Sequence, residues 1–262
     1  MAIDLATLKE YLLPTLVPIV VYWIYSGIYY FIFEHFDDYR LHTKEEEDAK
    51  NKAISKGTVA KGVLLCQFIQ FSLSFLVLLI KRKEGELVPA PQPQMHVIFL
   101  QIFIGIAVMD TWQYFAHRTL HTNEFLYKHV HSWHHKVVAS YGFGALYTHP
   151  IEGLITDTGG GILTYLISGM SPRTAMFFMS YATIKAIDDH SGMWLPGNIL
   201  HFFENNSAYH DIHHQPYGLK YNYSNLFFVN WDRLLGTYMP YTVEERKNGR
   251  GFAARPAHRK TT

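Results

Sequence analysis

The residues with the clearest capacity for chemistry are histidines grouped at helical spacing. They form the motifs HRTLH at 117–121, HSWHH at 131–135 and HDIHH at 210–214. Side chains three and four residues apart lie on one face of a helix, so each motif is expected to present its imidazoles in one direction. Neutral imidazole is the commonest side-chain metal ligand. The sequence therefore predicts a polyhistidine metal site with these candidate ligands: His117, His121, His131, His134, His135, His210, His213 and His214.

The number of clustered histidines indicates two metal ions. A tetrahedral zinc takes four protein ligands, or three and a water. The eight clustered histidines exceed that number, and His190, which follows Asp188 and Asp189 at a predicted helix end, is a ninth candidate. Two neighbouring ions with open positions can bind and reduce dioxygen, which supplies an oxidising step that acid–base side chains cannot perform. Imidazole suits zinc, copper, iron and nickel, so the ligand type leaves the metal open.

Aspartates near the motifs are candidates for orienting the ligands. Asp110 lies in an apolar segment seven residues before His117, on the same helix face. A carboxylate inside such a segment is costly and usually functional, and metal-bound histidines commonly donate their second N–H to a carboxylate. Asp110 is therefore predicted to hold a ligand in place, with a structural hydrogen bond inside the bundle as the alternative. The weaker candidates for this role are Asp188, Asp189 and Asp232.

The remaining histidines lack ligand spacing. His149 and His201 are isolated and are kept as secondary ligand candidates, and His149, which precedes Pro150, could instead shape the mouth of a substrate site or end a loop. His129 has the same uncertain standing. No role is predicted for the histidines farthest from the motifs, which are His35, His42, His96 and His258.

Composition excludes several classes of protein. A formal net charge of +1 over 262 residues provides no electrostatic field for nucleic acid. Cys66, the single cysteine, excludes an intramolecular disulfide framework and any multi-cysteine zinc or iron–sulfur site. It lies in an apolar run, where it is predicted to pack as a small core residue and not in a loop suited to a haem-thiolate ligand.

Long apolar segments are predicted to position the motifs. Residues 12–33, 59–80 and 97–115 are each about 20 residues long, enough to cross ~30 Å of hydrocarbon, and the third runs directly into His117. Residues 151–170 and 175–187 are predicted to form a membrane hairpin turning at Ser171-Pro172, although three glycines at 159–161 weaken its first half. Residues 34–56 form a charged connector and residues 84–94 a proline-rich loop.

These segments predict an all-α integral membrane helical bundle. We divide it into N-terminal membrane helices and connectors at 1–95, a metal-binding domain at 96–240 and a polar tail at 241–262. Lysine and arginine are enriched on the side that holds the connector, the histidine motifs and the C terminus, which predicts a cytosolic metal site near the membrane interface. The terminal Arg259-Lys260-Thr261-Thr262 resembles a dibasic retrieval signal, consistent with a multi-pass protein of the endoplasmic reticulum.

HRTLH, HSWHH and HDIHH together resemble the histidine motifs of the fatty acid hydroxylase superfamily of membrane di-iron oxygenases, and the resemblance covers most of the chain. The stretches VPIVVYWIYSGIY, DTWQYFAHR, ALYTHPIEG, SGMSPRTA, DDHSGMWLPGN and NNSAYHDIHHQ are similar to the branch that hydroxylates sphingoid long-chain bases. This resemblance implies that the eight clustered histidines and His190 bind two iron ions. It also implies dioxygen as co-substrate and electrons from NAD(P)H through cytochrome b5 and its reductase.

The resemblance implies a monooxygenase that hydroxylates carbon 4 of sphinganine or dihydroceramide to give phytosphingosine-type bases. Oxidation of a sterol methyl group or a fatty aldehyde is the alternative within the superfamily. A non-enzymatic metal carrier is a further alternative, but it would need ligands along a path through the membrane. Carbon 4 lies close to the polar head, so a lipid with its head at the interface would reach the metal site without the deep tunnel that mid-chain chemistry requires.

Overall fold

The computed structural model describes residues 5–84, 92–247 and 250–257. Its long helices are α1 (Leu5–Phe31), α3 (Lys56–Glu84) and α4 (Met95–Thr122), and the short helix α2 (Lys44–Lys50) lies in the connector between α1 and α3. In the described part of the chain, three helices are long and apolar enough to cross a membrane. They are the segments Lys9–Phe31, Lys56–Lys81 and Met95–Thr122, which confirms the three long spans predicted from the sequence.

Shorter elements follow α4 and carry much of the remaining chain. The α-helices are α5 (Glu124–His129), α6 (Pro150–Gly153), α7 (Gly160–Ser168), α8 (Pro172–Asp189), α9 (Ser207–His214) and α10 (Asn230–Leu234). A π-helical turn at Leu154–Gly159 joins α6 to α7. Short 3₁₀ helices occupy Phe33–His35, Asp37–Tyr39, His131–Lys136, Gly142–Gly144 and Ile199–Phe202.

The predicted membrane hairpin is shorter than expected. Its first half is divided among α6, the π turn and α7, and the 9 residues of α7 extend only about 13 Å. The glycines at 159–161 and the polar residues of the π turn explain this division, since neither favours a long apolar helix. The predicted helix start is confirmed: Ser171 caps α8 by accepting a hydrogen bond from the Thr174 backbone N–H at 3.1 Å, and Pro172 occupies the first turn.

The most extensive helix pairs are α1 with α8 and α4 with α7. Gly160 permits the second pair, because a Cβ atom at this position would lie 2.7 Å from Trp112 Cδ1. In the first pair, the Tyr29 hydroxyl of α1 donates to Asp188 Oδ1 of α8 at 2.6 Å. These contacts fix the ends of α4 and α8, which carry candidate ligands.

Helix α1 begins earlier than the sequence suggested, at Leu5, so Pro14 and Pro18 lie inside the helix and not near its start. Each proline lacks a backbone N–H and therefore removes one helical hydrogen bond. Both prolines line a large cavity bordered by α1, α3, α4, α7 and α8.

The C-terminal region is more ordered than a polar tail. Strands β1 (Tyr241–Glu245) and β2 (Phe252–Pro256) form an antiparallel hairpin with Tyr241 opposite Pro256, a small exception to the all-α prediction. The hairpin packs against α9. Arg246 ties it to the connector through hydrogen bonds to Glu46 of 2.9 and 2.6 Å. His258 and the basic terminus at 259–262 lie outside the described residues, as does most of the predicted loop at 84–94.

Candidate metal centre

The structure brings nine histidines together in two groups whose nitrogen ligand atoms lie within 4.8 Å of one another inside each group. The first group has five members and the second group has four, and neither includes a carboxylate. Eight of the nine side chains are buried and His121 is half-buried. The first group is His117, His121, His131, His135 and His213. The second group is His134, His190, His210 and His214.

The sequence suggested that each motif would present all its histidines in one direction. Two of the three motifs instead divide their histidines between the two groups. HRTLH, at the end of α4, contributes both of its histidines to the first group. HSWHH divides its members, with His134 in the second group and its neighbour His135 in the first. HDIHH divides in the same way between His213 and His214. Adjacent residues of a helix point about 100–120° apart, so an HH pair serves two centres.

Within each group the imidazole Nε2 atoms face one another at close range. In the first group, His131 Nε2 lies 3.1 Å from His117 Nε2 and 3.1 Å from His135 Nε2. In the second group, the distance is 2.9 Å between His210 and His214 and 3.3 Å between His134 and His190. Ligands bound at about 2.0–2.1 Å to one metal ion are separated by about 3 Å when adjacent. The spacing therefore fits two metal ions.

The second ring nitrogen, Nδ1, fixes the orientation of six histidines. Five of them donate from Nδ1 to backbone carbonyl groups at 2.7–3.1 Å. A carbonyl oxygen only accepts hydrogen bonds, so Nδ1 carries the proton and Nε2 presents its lone pair. Lone pairs that converge in this way repel one another unless a cation lies between them. The carbonyl-bound histidines are His117, His134, His190, His213 and His214.

Burial keeps these imidazoles in the neutral form that binds metal. Loss of hydration lowers the pKa of His134 to about 4, and it lowers the pKa of His131 and His210 well below the usual histidine range. Neighbouring imidazoles contribute in the same direction, because each disfavours a charge on the next. A metal ion therefore does not have to displace a proton from these rings near neutral pH.

Glu152 is the carboxylate that orients a candidate ligand, and sequence reasoning missed it. Its Oε1 atom lies 2.7 Å from His131 Nδ1, and both side chains are buried. Burial raises the pKa of Glu152 well above its usual value. The sequence shows Glu152 as an acidic residue two positions after Pro150, at the edge of an apolar segment. Nothing in the sequence indicates that it contacts His131.

The aspartates proposed for that role have other partners. Asp110 accepts hydrogen bonds from the Phe227 and Phe228 backbone N–H groups at 3.1 and 3.0 Å. The prediction that Asp110 holds a histidine ligand is therefore wrong, and the alternative, a structural hydrogen bond inside the bundle, describes its role. Asp188 accepts from Tyr29 and from the Asn198 amide, and Asp189 pairs with Lys185. Asp232 accepts from the backbone of Tyr223 at 2.9 Å. These carboxylates hold loops and helices that surround the site.

The secondary histidine candidates lie outside both groups. His149 caps α6 by accepting from the Ile151 backbone N–H at 3.2 Å, and its ring packs edge-on against Trp133. His201 stacks on Trp194 and lies 3.8 Å from Asp188 Oδ2. The histidines without a predicted role also lie outside the groups, as far as the structure describes them: His35, His42 and His96. His129 does so as well, packing against Phe125.

A cavity of about 560 Å³ opens beside both histidine groups, a volume within the range of ligand-binding pockets. Histidines of both groups line one end of it: His117, His131, His134, His190 and His210. Residues of α1, α3, α7 and α8 form much of the remaining wall.

The cavity continues far from the histidines. Along α3 its lining runs from Gln67 to Lys81, a helix length of about 21 Å. Helix α1 runs antiparallel beside it, as shown by the hydrogen bond from Trp23 to Gln67 at 2.8 Å and the 2.7 Å contact of Thr15 with Ser74. The histidine groups therefore lie at one end of a long, largely apolar channel.

Three apolar helices long enough to cross a membrane and two histidine groups arranged to hold metal ions define a helical membrane protein with a polyhistidine site. Residues 102–237 match the family model described as fatty acid hydroxylase. The chain belongs to this family of monooxygenases.

Curated relatives extend the similarity over nearly the whole chain. Sphinganine C4-monooxygenase 1 of Arabidopsis thaliana is 55% identical over 95% of this chain and 95% of its own length. Very-long-chain aldehyde decarbonylase GL1-9 of Oryza sativa subsp. indica is 47% identical over 92% of this chain and 93% of its own. Sphingolipid C4-hydroxylase sur2 of Schizosaccharomyces pombe is 38% identical over 85% and 86%, respectively. No solved structure matches the chain.

Proposed function

We propose that the protein hydroxylates carbon 4 of a sphingoid long-chain base, sphinganine or its N-acylated form, using dioxygen. The observation that supports this most is the position of two buried histidine groups at one end of a lipid-sized cavity. The names of the relatives from Arabidopsis and fission yeast point to the same reaction. A substrate whose alkyl chain fills the cavity would place a carbon near its polar end beside the histidines.

The nine grouped histidines would hold two iron ions, five ligands in one centre and four in the other. When bound, the irons would supply the oxidant that cleaves an unactivated C–H bond. The chain's own contribution is preorganisation: backbone carbonyls and Glu152 fix the ring orientation of six histidines before metal arrives. Burial of the histidines excludes bulk water from the site.

The remaining components of the proposal concern electron supply and location. Electrons would come from NAD(P)H through cytochrome b5 and its reductase, and the protein would reside in the endoplasmic reticulum membrane with a cytosolic metal site. This arrangement predicts a lumenal N terminus and a cytosolic C terminus. Protease digestion of sealed microsomes should remove a C-terminal tag and spare an N-terminal tag, and a protected C-terminal tag would overturn the orientation.

The decisive experiment is expression in cells that lack long-chain-base hydroxylation. We expect 4-hydroxysphinganine, free or as its ceramide, to appear only when dioxygen and an electron-donor chain are present. Lipid mass spectrometry of cells with and without the protein measures it directly. Absence of any trihydroxy base in these cells, together with restored sterol-methyl oxidation in a second host that lacks that activity, would contradict the proposal.

Fatty aldehyde conversion is the second candidate, because the rice relative is named as an aldehyde decarbonylase. The same cavity would accept the alkyl chain of an aldehyde. The two candidates differ at the polar end, since an aldehyde offers a single carbonyl oxygen whereas a sphingoid base offers an amine and two hydroxyls. Feeding labelled long-chain aldehyde and labelled sphinganine to the same membranes separates them.

A further inference from the structure

A polar wall lies at the histidine end of the cavity, on the side formed by α3, the start of α6 and the π turn. Its residues are Gln67, Thr148, Glu152, Asp157 and Thr158, and each of them lines the cavity. The rest of this channel is largely apolar, so a concentration of polar groups beside the histidines calls for a ligand that is polar at one end.

Several atoms of this wall have no hydrogen-bond partner within the described part of the chain. They include Glu152 Oε2, Thr148 Oγ1 and Thr158 Oγ1, together with Gln67 Nε2. The side chains of Thr148, Glu152 and Gln67 belong to residues that are more than nine-tenths buried, with 7%, 4% and 5% exposure. Buried polar atoms without partners are destabilising, and they commonly mark a site that a ligand completes.

The ionisable side chains of this wall are both carboxyl groups. Glu152 and Asp157 are its acidic members, and Lys81, the one lysine or arginine among the described lining residues, stands at the far end of the channel about 21 Å along α3 from Gln67. Asp157 is half-buried, and one of its oxygens accepts from the Thr156 hydroxyl at 3.3 Å. A carboxylate retained in such a wall favours a ligand that brings a cation.

The π turn at Leu154–Gly159 places Asp157 in this wall. The Trp112 indole N–H donates to the Ile155 carbonyl at 2.9 Å, and the Gln113 amide donates to the Thr156 carbonyl at 3.2 Å. Side chains of α4 thus satisfy backbone carbonyls of the wide turn. Single π turns of this kind recur at functional sites, because they turn a side chain away from the regular helical direction.

We propose that Glu152 and Asp157, with the hydroxyls of Thr148 and Thr158, form the subsite for the cationic amino-diol head of a free long-chain base. This inference rests on the proposed function and makes it more specific, since it assigns the unacylated base as the substrate. The ammonium group donates three hydrogen bonds and accepts none, which matches carboxylates, and the two alcohol groups match the threonine hydroxyls. N-acylation removes the positive charge of the amine and adds a second alkyl chain.

Asp157→Asn tests the charge, because Asp157 contacts none of the grouped histidines whereas Glu152 does. Purified protein in nanodiscs should hydroxylate sphinganine with a kcat/KM at least about tenfold above that for N-acetylsphinganine. The variant should lower kcat/KM for sphinganine by about tenfold or more, mostly through KM, and change the value for N-acetylsphinganine by less than about threefold. Metal content should remain unchanged. Asp48→Asn, the same change at an exposed residue of α2, is the matched control.

Equilibrium binding of tritiated sphinganine separates this inference from the proposed reaction. If the wild-type protein binds sphinganine about tenfold more tightly than N-acetylsphinganine and Asp157→Asn abolishes that preference, the subsite is supported even if no carbon-4 product forms, and only the proposed reaction fails. Equal or tighter binding of N-acetylsphinganine by the wild-type protein overturns the subsite, whether or not the variant folds. A variant that folds, keeps its metal and retains the full preference also overturns it.

Discussion

Hydrogen bonds made by Nδ1 decide which nitrogen of six grouped histidines is free to bind metal. Tyr221 and Tyr223, which follow α9, supply two of the accepting carbonyls, and Val137, after HSWHH, supplies a third. These loops therefore serve as an outer layer that orients the rings. A backbone carbonyl can accept this hydrogen bond whichever side chain its residue carries. The residue types in these loops therefore do not reveal the orienting role.

Loss of a single grouped histidine should cost both metal and activity. We expect His121→Ala, in the first group, and His214→Ala, in the second, each to abolish hydroxylation and to release about one metal ion per chain, because the two groups use separate ligands. Metal analysis of purified variants measures the loss. His96→Ala, an exposed histidine outside both groups, should retain full content and turnover. A folded His214→Ala variant with two bound ions and normal turnover would show that His214 is not a ligand.

Glu152→Gln should weaken the site without removing a ligand. Because glutamine replaces the carboxyl group that lies 2.7 Å from His131 Nδ1 with a weaker hydrogen-bond acceptor, we expect activity or metal affinity to fall by about 10–100-fold while the protein remains folded. Metal-chelator competition together with turnover measures this effect. The control is Glu244→Gln, an exposed position on β1. Wild-type affinity and turnover in Glu152→Gln would contradict the orienting role.

Residue type and spacing were enough to predict eight of the nine grouped histidines, because three histidine motifs in one chain are uncommon by chance, and His190 was predicted from its place after Asp188 and Asp189 at a helix end. They could not predict Glu152, which meets His131 across 21 positions of the chain. They also suggested the wrong partner for Asp110: helical periodicity placed it near His117, whereas its carboxylate accepts from the backbone at Phe227 and Phe228. Periodicity specifies which helix face a residue occupies, but not what packs against that face.

At the scale of elements, the contact of α4 with α7 sets the position of the π turn. The three long helices in the first half of the chain were predictable, although not their ends, because long apolar runs have few alternative structures. The division of residues 150–168 into α6, the π turn and α7 was not predictable, since it depends on α4 side chains that satisfy its carbonyls. The C-terminal hairpin was missed for a similar reason, as its strands have no strongly apolar face and pack on α9.

Gly160→Ala should destabilise the protein through this contact. The added Cβ would lie 2.7 Å from Trp112 Cδ1, and the indole is held by its hydrogen bond to Ile155, so the helices must separate. Overpacking of this kind costs about 1–3 kcal/mol. Gly161→Ala is the matched control: its Cβ would meet Met179 Cε at an ordinary 3.5 Å, and alanine favours the helix. Thermal unfolding in detergent compares them, and equal midpoints would refute the tight contact.

At the scale of the whole molecule, the channel connects regions that are distant in sequence. Its wall draws on α1, α3, α4, α7, α8 and the loops that carry the histidine motifs. The ends of the apolar segments in the sequence predicted that the metal site lies near the membrane interface. The depth of the channel could not be inferred, because it depends on how α1 and α3 separate, with Pro14 and Pro18 of α1 on its wall.

The channel's finite length gives the protein a means to measure its substrate. Each methylene group buried in its apolar part contributes about 0.8 kcal/mol, or about fourfold in kcat/KM. The gain should stop where the wall becomes polar at Glu10 and Lys81, about 21 Å along α3 from Gln67. A series of bases differing by two carbons should therefore show a steep rise in kcat/KM and then a plateau or fall. A rise that continued through every homologue would mean that the chain end leaves the channel sideways into lipid.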